Sequence, residues 1–285
     1  MDMVVHVQRP AQVGETLLGS DYALHPGGKG GNQATAAARA GGKVRLVAKA
    51  GIDVFADTLI DSLAAAGVDV HAVQRASRPS GVAFINSYPD GDNSIIVAPG
   101  ANFDLTPPDL SAELFDGASA VVLQLEIPLE TVLEAARLGH AAGATVILNL
   151  SPARTLTAEQ LKHVDLLLTN ESEARLLTGA DGTEAALAGL VELVPMAVMT
   201  LGERGAAWAT RDASGTVPAH RVEAVDTTGA GDAFAGALAA RLADGAGLAD
   251  AVRFGMAAGA LAVTREGAQP SMPDRDEIEE FLGRS

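Results

Sequence analysis

The sequence has no cysteine, few aromatic residues and a shortage of positive charge. Without cysteine among its 285 residues, disulfides, thiolate metal sites and cysteine nucleophiles are excluded. Aromatic residues make up only 4%, so we expect a core of Ala, Val and Leu side chains. The chain has 20 Lys and Arg but 36 Asp and Glu. The resulting net charge of −16 argues against a basic surface for nucleic acid. It does not exclude a nucleotide as a small ligand.

Zinc-site spacing and membrane-spanning segments are also missing. The six histidines are scattered, with no pair at metal-ligand spacing, which argues against a zinc site. The longest apolar run, Phe254 to Val263, is too short to cross a membrane. The first residues carry no signal-peptide pattern, so we expect a soluble, cytoplasmic protein.

From Gly117 onward, near-continuous apolar strands alternate with helical patterns. The predicted strands are Ala120–Leu125, Thr145–Leu150, Asp165–Thr169 and Met196–Leu201. The predicted helices are Leu129–Ala142, Glu171–Leu177, Glu184–Leu193, Asp232–Ala243, Leu248–Thr264 and Asp274–Leu282. Apolar strands alternating with helices indicate a parallel sheet covered on both faces. The sequence therefore predicts an α/β protein with three α/β/α layers and a mostly parallel central sheet.

The N-terminal third has more strands and turns. Strands are expected at Met3–Val7, Glu15–Leu24, Val82–Tyr88 and Ser94–Ala98, the last two joined by a turn at Pro89–Asp92, with helices at Gly30–Ala40 and Phe55–Ala66. The strand pairs have no helix of their own to pack on. We expect a small projecting β-sheet, from about residues 3–25 and 82–98, that covers a ligand site as a lid.

A glycine turn before a helix, Gly229-Ala230-Gly231, is followed by Asp232. The glycines let successive amides converge, and the helix start adds its positive end, so the turn favours a phosphate. A carboxylate beside a phosphate needs a reason, and accepting the proton of a hydroxyl nucleophile is one. From the residues alone, Asp232 could equally be an ordinary acidic residue of a first helical turn.

A second glycine cluster precedes the first long helix. It fits neither the dinucleotide fingerprint nor the P-loop, because Gln33 and Gly30 stand where those motifs need glycine and Ser or Thr. Its glycines permit close backbone approach, and Lys29 and Asn32 add donors for sugar hydroxyls or phosphate. The alternative is a flexible turn with a solvated lysine. The cluster is Gly27, Gly28, Lys29, Gly30, Gly31 and Asn32.

Three more candidates follow predicted strands. Glu126 could be a site carboxylate or only a helix cap, and Asn170 with Glu173 could form a capping box. The segment Thr200-Leu201-Gly202-Glu203-Arg204-Gly205 could cradle a nucleotide or simply turn. All of these elements fall at the carboxyl ends of predicted parallel strands or beside the lid, where open α/β sheets bind ligands.

The two glycine-rich motifs, Gly27 to Ala34 and Asp226 to Phe234, resemble in order and spacing the signatures of the ribokinase family of carbohydrate kinases. The resemblance covers nearly the whole chain. It implies ATP-dependent phosphorylation of a sugar hydroxymethyl group, with O5 of D-ribose as the expected acceptor. Other sugars or nucleosides (fructose, deoxyribose, adenosine) remain alternatives, as does a non-catalytic sugar-binding homologue.

The resemblance also implies roles for particular residues. Asp232 matches the catalytic base, and Gly229, Ala230 and Gly231 match the anion hole. Asp2, Glu126 and the cluster from Gly27 to Asn32 match sugar and phosphate contacts. Asn170, the segment from Thr200 to Gly205, Gly231, Asp232 and Met256 match the nucleotide site, and Glu173 the acidic residue associated with Mg²⁺. The residues matching a K⁺ site are Asp226, Thr228, Ala262, Arg265, Gly267 and Ser271.

The sequence differs from the family pattern at two places, and the family resemblance also implies an assembly state. Family members usually begin with an apolar strand before the position of Asp2, and here that strand, with an asparagine that contacts the sugar, is expected to be missing. Met256 stands where a polar residue near the adenine is frequent. In the family the lid also pairs two subunits, so the resemblance implies a homodimer.

Overall fold

Strands and helices alternate along the chain in the computed structural model, which describes residues 1–89 and 93–284. The strands are β1 (Asp2–His6), β2 (Ala23–His25), β3 (Ala48–Ala50), β4 (Val73–Arg75), β5 (Val82–Ser87), β6 (Asn93–Ala98), β7 (Ala120–Leu123), β8 (Thr145–Asn149), β9 (Leu166–Asn170), β10 (Met196–Thr200), β11 (Ala206–Thr210) and β12 (Ser214–Val217). The helices are α1 (Lys29–Arg39), α2 (Val54–Ala65), α3 (Leu129–Ala141), α4 (Ala158–Leu161), α5 (Glu171–Thr178), α6 (Thr183–Val191), α7 (Ala230–Ala243), α8 (Leu248–Ala262) and α9 (Arg275–Gly283).

The largest sheet has the order β12-β11-β10-β9-β8-β7. Its strands β7 to β10 are parallel, as the sequence predicts, whereas β11 and β12 are antiparallel additions. The sequence pattern does not predict these two strands. In β11 three of five residues are alanine, which favours helices over strands, so only pairing with β10 makes this segment extended.

Both faces of this sheet are buried, which explains the near-continuous apolar strands. Along β8, Leu148 packs with Val132 of α3 and Leu190 of α6, whereas its neighbour Ile147 packs on the opposite face with Leu238 of α7. Successive side chains of a strand point to opposite faces, so two helical layers are needed to cover them. The predicted three-layer α/β fold is confirmed.

The N-terminal strands form a separate four-stranded sheet in the order β2-β1-β5-β6. Its central pair, β1 and β5, is parallel, and both outer pairs are antiparallel. We call this sheet the lid sheet. The predicted strand pair of Val82–Tyr88 with Ser94–Ala98 is found at β5 and β6, and residues 90–92 of its expected turn lie outside the described residues.

The predicted strand over Glu15–Leu24 is wrong for most of its length. Only Ala23–His25 forms a strand, although the Ser20 amide also donates to the His6 carbonyl at 2.9 Å, and Glu15 lies in a loop where its carboxylate binds Arg9 at 2.5 Å. Gly14, with φ of 82°, adopts a left-handed turn just before this segment. The side chains are suited to a strand, but residues 12–15 form a turn in which the Glu15 amide donates to the Gln12 carbonyl at 3.0 Å.

Helices α1 and α7 cross at very short range. A Cβ atom built on Gly236 would lie 2.5 Å from the carbonyl oxygen of Gln33 and 2.6 Å from the Cβ atom of Ala36. The backbones can meet this closely only because position 236 has no side chain. Since Asp232 lies one turn earlier on the same face of α7, this crossing places it directly against α1.

We therefore expect Gly236→Ala to destabilise the protein by about 1 to 3 kcal/mol, since the methyl group must push the two helices apart. Urea denaturation gives the change in the free energy of unfolding. Gly283→Ala, in α9, is the matched control because nothing lies within 4 Å of a Cβ built there. Equal denaturation midpoints for the two variants would contradict this description of the crossing.

Candidate active site

A cavity of about 170 Å³ opens at the carboxyl edge of the parallel strands. It lies between the ends of β8, β9 and β10 and the first residues of α1, α5 and α7. Its lining residues include Lys29, Asn149, Ser151, Thr169, Asn170, Glu173, Thr200, Gly229, Gly231 and Asp232. The carboxyl edge is therefore the site that the sequence predicts, and it brings the two glycine-rich motifs together.

Two helices begin at this site from glycines in left-handed conformations. Gly28, with φ of 92°, precedes α1, and Gly229, with φ of 77°, precedes α7. Any other residue at these positions would be strained. The first-turn amides of both helices lack intrahelical partners, and each helix start carries partial positive charge. Together with Lys29, the two starts make this part of the cavity favourable for an anion.

Asp232 is the buried carboxylate between the two helix starts. Its Oδ2 accepts a hydrogen bond of 2.9 Å from Asn32 Nδ2, and its Oδ1 accepts one of 2.9 Å from Gln33 Nε2. Burial raises the pKa of Asp232, against the opposing effects of Lys29 and the two amides. A carboxylate with a raised pKa in a closed site is a stronger base than one in water, which suits the removal of a hydroxyl proton.

Two more carboxylates share this region. The Asp2 carboxylate lies directly against Gly27, where a Cβ atom would overlap it. Glu126 Oε2 accepts the backbone amide of Lys29 at 2.9 Å. Burial raises the pKa of both groups, and the negative charge of Asp232 adds to the effect. The structure thus places the predicted sugar-side residues around the start of α1.

The turn Gly229-Ala230-Gly231 is only partly available to a ligand. Gly229 and Gly231 line the cavity, but the amide of Ala230 donates to the carbonyl of Thr227 at 3.2 Å. The carbonyl of Gly229 accepts the amide of Ala233 at 2.8 Å, which continues the helix. Of the three amides of the turn, that of Ala230 is therefore already occupied by a protein acceptor.

Asn170 and Glu173 form a capping box at the start of α5. Asn170 Oδ1 accepts the Glu173 amide at 2.8 Å, and Glu173 Oε2 accepts the Asn170 amide at 2.7 Å. Both residues also line the cavity. Burial raises the pKa of Glu173 despite its hydrogen bonds to Asn170 and Ser151. The capping interpretation is correct, and the same two side chains are available to a ligand.

The segment after β10 is a tight 3₁₀ turn at Gly202–Arg204. Leu201 donates its amide to the carbonyl of Gly205 at 2.8 Å, and the Arg204 side chain pairs with Glu171 at the start of α5. Glu203 is exposed. Of the predicted segment, only Thr200 lines the cavity.

Met256 of α8 does not itself line the cavity, but Phe234, which belongs to the cluster it packs against, does. Met256 packs, partly buried, against the cluster that also contains Phe234 and Leu238 of α7. Its thioether is therefore part of the apolar layer beneath the sheet, on the side where α7 and α8 meet.

Four of the residues expected at a cation site lie in two loops joined by Asp226, whereas Ala262 is the last residue of α8 and Ser271 lies in a 3₁₀ turn. Asp226 Oδ1 accepts the Thr228 amide at 2.9 Å, and its Oδ2 accepts the Gly267 amide at 2.8 Å. These bonds outweigh burial and lower the pKa of Asp226. The Arg265 side chain pairs with Glu277, so only its carbonyl can turn to an ion. Within residues 1–89 and 93–284, no cluster of three His, Asp or Glu is arranged to bind a metal.

Five polar residues near the site were not predicted from the sequence. Asn149, Ser151 and Thr169 line the cavity, and Gln33 and Gln124 make the contacts behind Asp232. Asn149 and Thr169 stand at the ends of β8 and β9, so the rule that identified Asn170 could have found them. The same rule could have found Gln124, which directly follows β7, whereas Gln33 lies within the first glycine-rich motif and only the structure shows its contact with Asp232.

The sequence matches the family described as pfkB family carbohydrate kinase over residues 1–275. It is 40% identical over 286 residues to the ribokinase of Bacillus subtilis (strain 168), covering 99% of this chain and 96% of that protein. It is 38% identical over 292 residues to the deoxyribokinase of Salmonella typhimurium, covering 99% and 95%. The protein therefore belongs to the pfkB family of carbohydrate kinases.

A solved structure agrees with this assignment. The structure of Arabidopsis thaliana ribokinase complexed with ribose and ATP superimposes with a TM-score of 0.92 at 31% identity, covering 100% of this chain and 96% of that one. No helix in the described part of the chain is long and apolar enough to cross a membrane.

Burial of Asp232 generates a prediction about stability. Because its pKa is raised in the folded state, the protonated form is favoured by folding, and that stabilisation is lost as pH rises through the folded pKa. Asp232→Asn removes the buried charge, and the Asn32 amide can turn its unpartnered Oδ1 toward the new NH₂ group. At pH 7 we expect the variant to be more stable by about 1 to 3 kcal/mol.

The difference should shrink as pH falls toward the folded pKa of Asp232, because the wild-type side chain is then neutral as well. Thermal unfolding between pH 5 and 8 measures it. Asp61→Asn, at an exposed position of α2, controls for the loss of a surface charge. A variant no more stable than wild type at any of these pH values would contradict the prediction.

Proposed function

We propose that this protein is an ATP-dependent ribokinase, which converts D-ribose and ATP to D-ribose 5-phosphate and ADP. The observation that carries the proposal is the buried Asp232 carboxylate between two helix starts, at the edge of a cavity lined by further polar residues. A sugar-binding protein without catalytic activity would have no need of a buried base there. The ribokinases of B. subtilis and A. thaliana, similar over nearly their whole lengths, support the choice of ribose.

In the proposed reaction Asp232 takes the proton from O5 of ribose as that oxygen attacks the γ-phosphorus of ATP. A new O–P bond forms, the bond between the γ-phosphorus and the β–γ bridging oxygen breaks, and ADP leaves with that oxygen. Lys29 and the Gly231 amide stabilise the charge on the transferring phosphoryl group. Asp2, Glu126 and Asn32 hold the sugar hydroxyls. Asn32 suits this role because its Oδ1 is buried without a protein partner.

We assign the nucleotide to the other end of the cavity, where Asn170, Thr200 and Glu173 line the wall. Mg²⁺ commonly binds proteins through one or two carboxylates while phosphates and waters supply the rest, so the single carboxylate of Glu173 fits it. The ion neutralises phosphate charge when bound. We also propose that the lid sheet closes over the sugar and excludes water, and that the whole chain forms one kinase domain.

Deoxyribose is the second candidate substrate. The observation in its favour is the deoxyribokinase of S. typhimurium, which is nearly as similar to this chain as the B. subtilis ribokinase. The two sugars differ by one hydroxyl group. A competition assay with both sugars at equal concentration separates the candidates, because a site that binds the extra hydroxyl rejects the sugar that lacks it.

We propose a homodimer formed through the lid sheet. Phe84 of β5 and Ile96 of β6 are cross-strand partners on one face of the lid sheet, exposed by 47% and 66%, whereas Ile95 and Val97, exposed by 53% and 51%, point to its other face. An apolar patch of this kind favours a protein contact over water. Pairing of two lid sheets through one of these faces would remove part of this apolar surface from water.

The base assignment gives a first kinetic prediction. Asp232→Asn should lower turnover by about 10² to 10⁴-fold, because general base catalysis is lost, while ATP still binds. A coupled assay of ADP formation with ribose measures turnover, and calorimetry measures ATP binding. Asp61→Asn should match wild type in both. Retained turnover in Asp232→Asn would refute the role of this residue as the base.

We further propose that K⁺ binds between the two loops joined by Asp226. The oxygen donors there are one carboxylate, backbone carbonyls and the Thr228 and Ser271 hydroxyls, which suit a hard cation. The second loop supports the anion turn, since a Cβ atom on Gly229 would lie 3.0 Å from Ala268 Cα. An ion there would stabilise the shape of that turn without contacting substrate.

We accordingly expect ribose phosphorylation to be faster in K⁺ than in Na⁺ at equal ionic strength. Asp226→Asn removes the only charged oxygen ligand of the proposed site, so the rate in K⁺ should fall close to the rate in Na⁺. The measurement is the initial rate across a titration of each chloride salt. Equal rates in K⁺ and Na⁺ for the wild-type protein would contradict a selective site.

A further inference from the structure

Two glutamines form a hydrogen-bonded chain behind Asp232. Gln33, which is 2% exposed, donates from Nε2 to Asp232 Oδ1 at 2.9 Å. Gln124 donates from its own Nε2 to Gln33 Oε1 at 2.7 Å. An ionised carboxylate can only accept hydrogen bonds, so Gln33 must present its NH₂ group to Asp232. The bond from Gln124 to the oxygen of Gln33 fixes that orientation from the other side.

Asn32 contacts the same carboxylate but is held differently. Its Nδ2 donates to Asp232 Oδ2 at 2.9 Å, while its Oδ1 is buried and has no protein partner. Asn32 therefore keeps an acceptor for a hydroxyl group of a substrate. The side-chain oxygen of Gln33, in contrast, already accepts the hydrogen bond from Gln124. The two neighbouring amides thus have separate tasks, one toward the substrate and one toward the carboxylate alone.

The backbone of Gln33 is also held in place, by the crossing of α1 and α7. The carbonyl oxygen of Gln33 lies against Gly236, where a Cβ atom would approach it to 2.5 Å. Gly236 and Asp232 are one turn apart on α7, so the helix crossing brings the glutamine and the carboxylate together. Gln124 follows β7 directly, which ties the chain to the edge of the central sheet.

We propose that Gln33 and Gln124 are positioning residues that hold the Asp232 carboxylate ionised and in a single orientation, with Oδ1 bound to Gln33. The inference rests on the proposed function for its catalytic meaning. The arrangement itself is a buried carboxylate held by an amide whose NH₂ group and oxygen are both hydrogen-bonded. It does not depend on the identity of the sugar.

Several charged groups face Asp232 and set the background for this effect. Lys29 at the start of α1 favours the ionised carboxylate. Asp2 of β1 and Glu126 after β7 are buried carboxylates whose negative charge opposes it. Removing one amide donor from a group so balanced should make ionisation measurably harder. The consequence is an upward shift of the acidic limb of the pH–rate profile.

The experiment compares Gln33→Met, Gln124→Met and the double variant with wild type. Methionine keeps an unbranched side chain of similar volume and removes the amide. Gln74→Met, at an exposed position of β4, is the matched control. Two quantities are measured for each: the titration of the Asp232 carboxyl carbon by ¹³C NMR without substrate, assigned with Asp232→Asn, and the pH dependence of kcat and KM with ribose and ATP.

For Gln33→Met we expect both titrations to move upward by about one pH unit, the size of one hydrogen bond to a charged group. Gln124→Met should shift them in the same direction by less. The double variant should match Gln33→Met, because Gln124 acts only through Gln33. KM for ribose should change less than twofold, and Gln74→Met should match wild type throughout.

Three results would overturn the inference. One is an unshifted NMR titration in folded Gln33→Met. Another is a tenfold rise of KM for ribose with an unchanged pH profile, which would make Gln33 a sugar contact. The third is additive shifts in the double variant. If wild type fails to phosphorylate ribose, the proposed function fails, and the NMR titration still supports or refutes the hydrogen-bonded chain.

Discussion

The site depends on one buried carboxylate held between two helices. Asp232 accepts an amide hydrogen bond on each oxygen, from Asn32 and Gln33 of α1, and the crossing at Gly236 brings α1 and α7 close enough for both. Burying a charge is unfavourable unless it is hydrogen-bonded or paired, and here two amides and Lys29 reduce that cost without removing it. Because burial still disfavours the charged form more than these groups favour it, the pKa of Asp232 is raised, which makes the carboxylate a stronger base.

The parallel sheet explains why the other site residues converge. Strands β8, β9 and β10 run in one direction, so their last residues meet at one edge, and the helices that follow begin there with unpaired amides. Asn170 and Glu173 each have two roles at this edge. They satisfy the first amides of α5 as a capping box and at the same time line the cavity.

The loops outside the cavity have a similar supporting role. Asp226 holds the turn before α7 to the loop around Gly267 through two backbone amides, and Ala268 packs beneath Gly229. The shape of the anion turn is therefore set by a second segment of the chain that does not contact the cavity. A cation between these loops would act on the turn by the same route.

Sequence patterns predicted most of the central layers, including β8, α7 and the glycine turns, because apolar periodicity and glycine chemistry are local. They failed at Glu15–Leu24, where the chain begins with a turn instead of a strand, and at β11, whose three alanines favour a helix. The sequence by itself determined where the helix starts lie and that a carboxylate stands at one of them. Only the tertiary structure decided what holds that carboxylate, because Gln33 is 199 residues from Asp232 and 91 from Gln124, and packing alone brings such distant positions into contact.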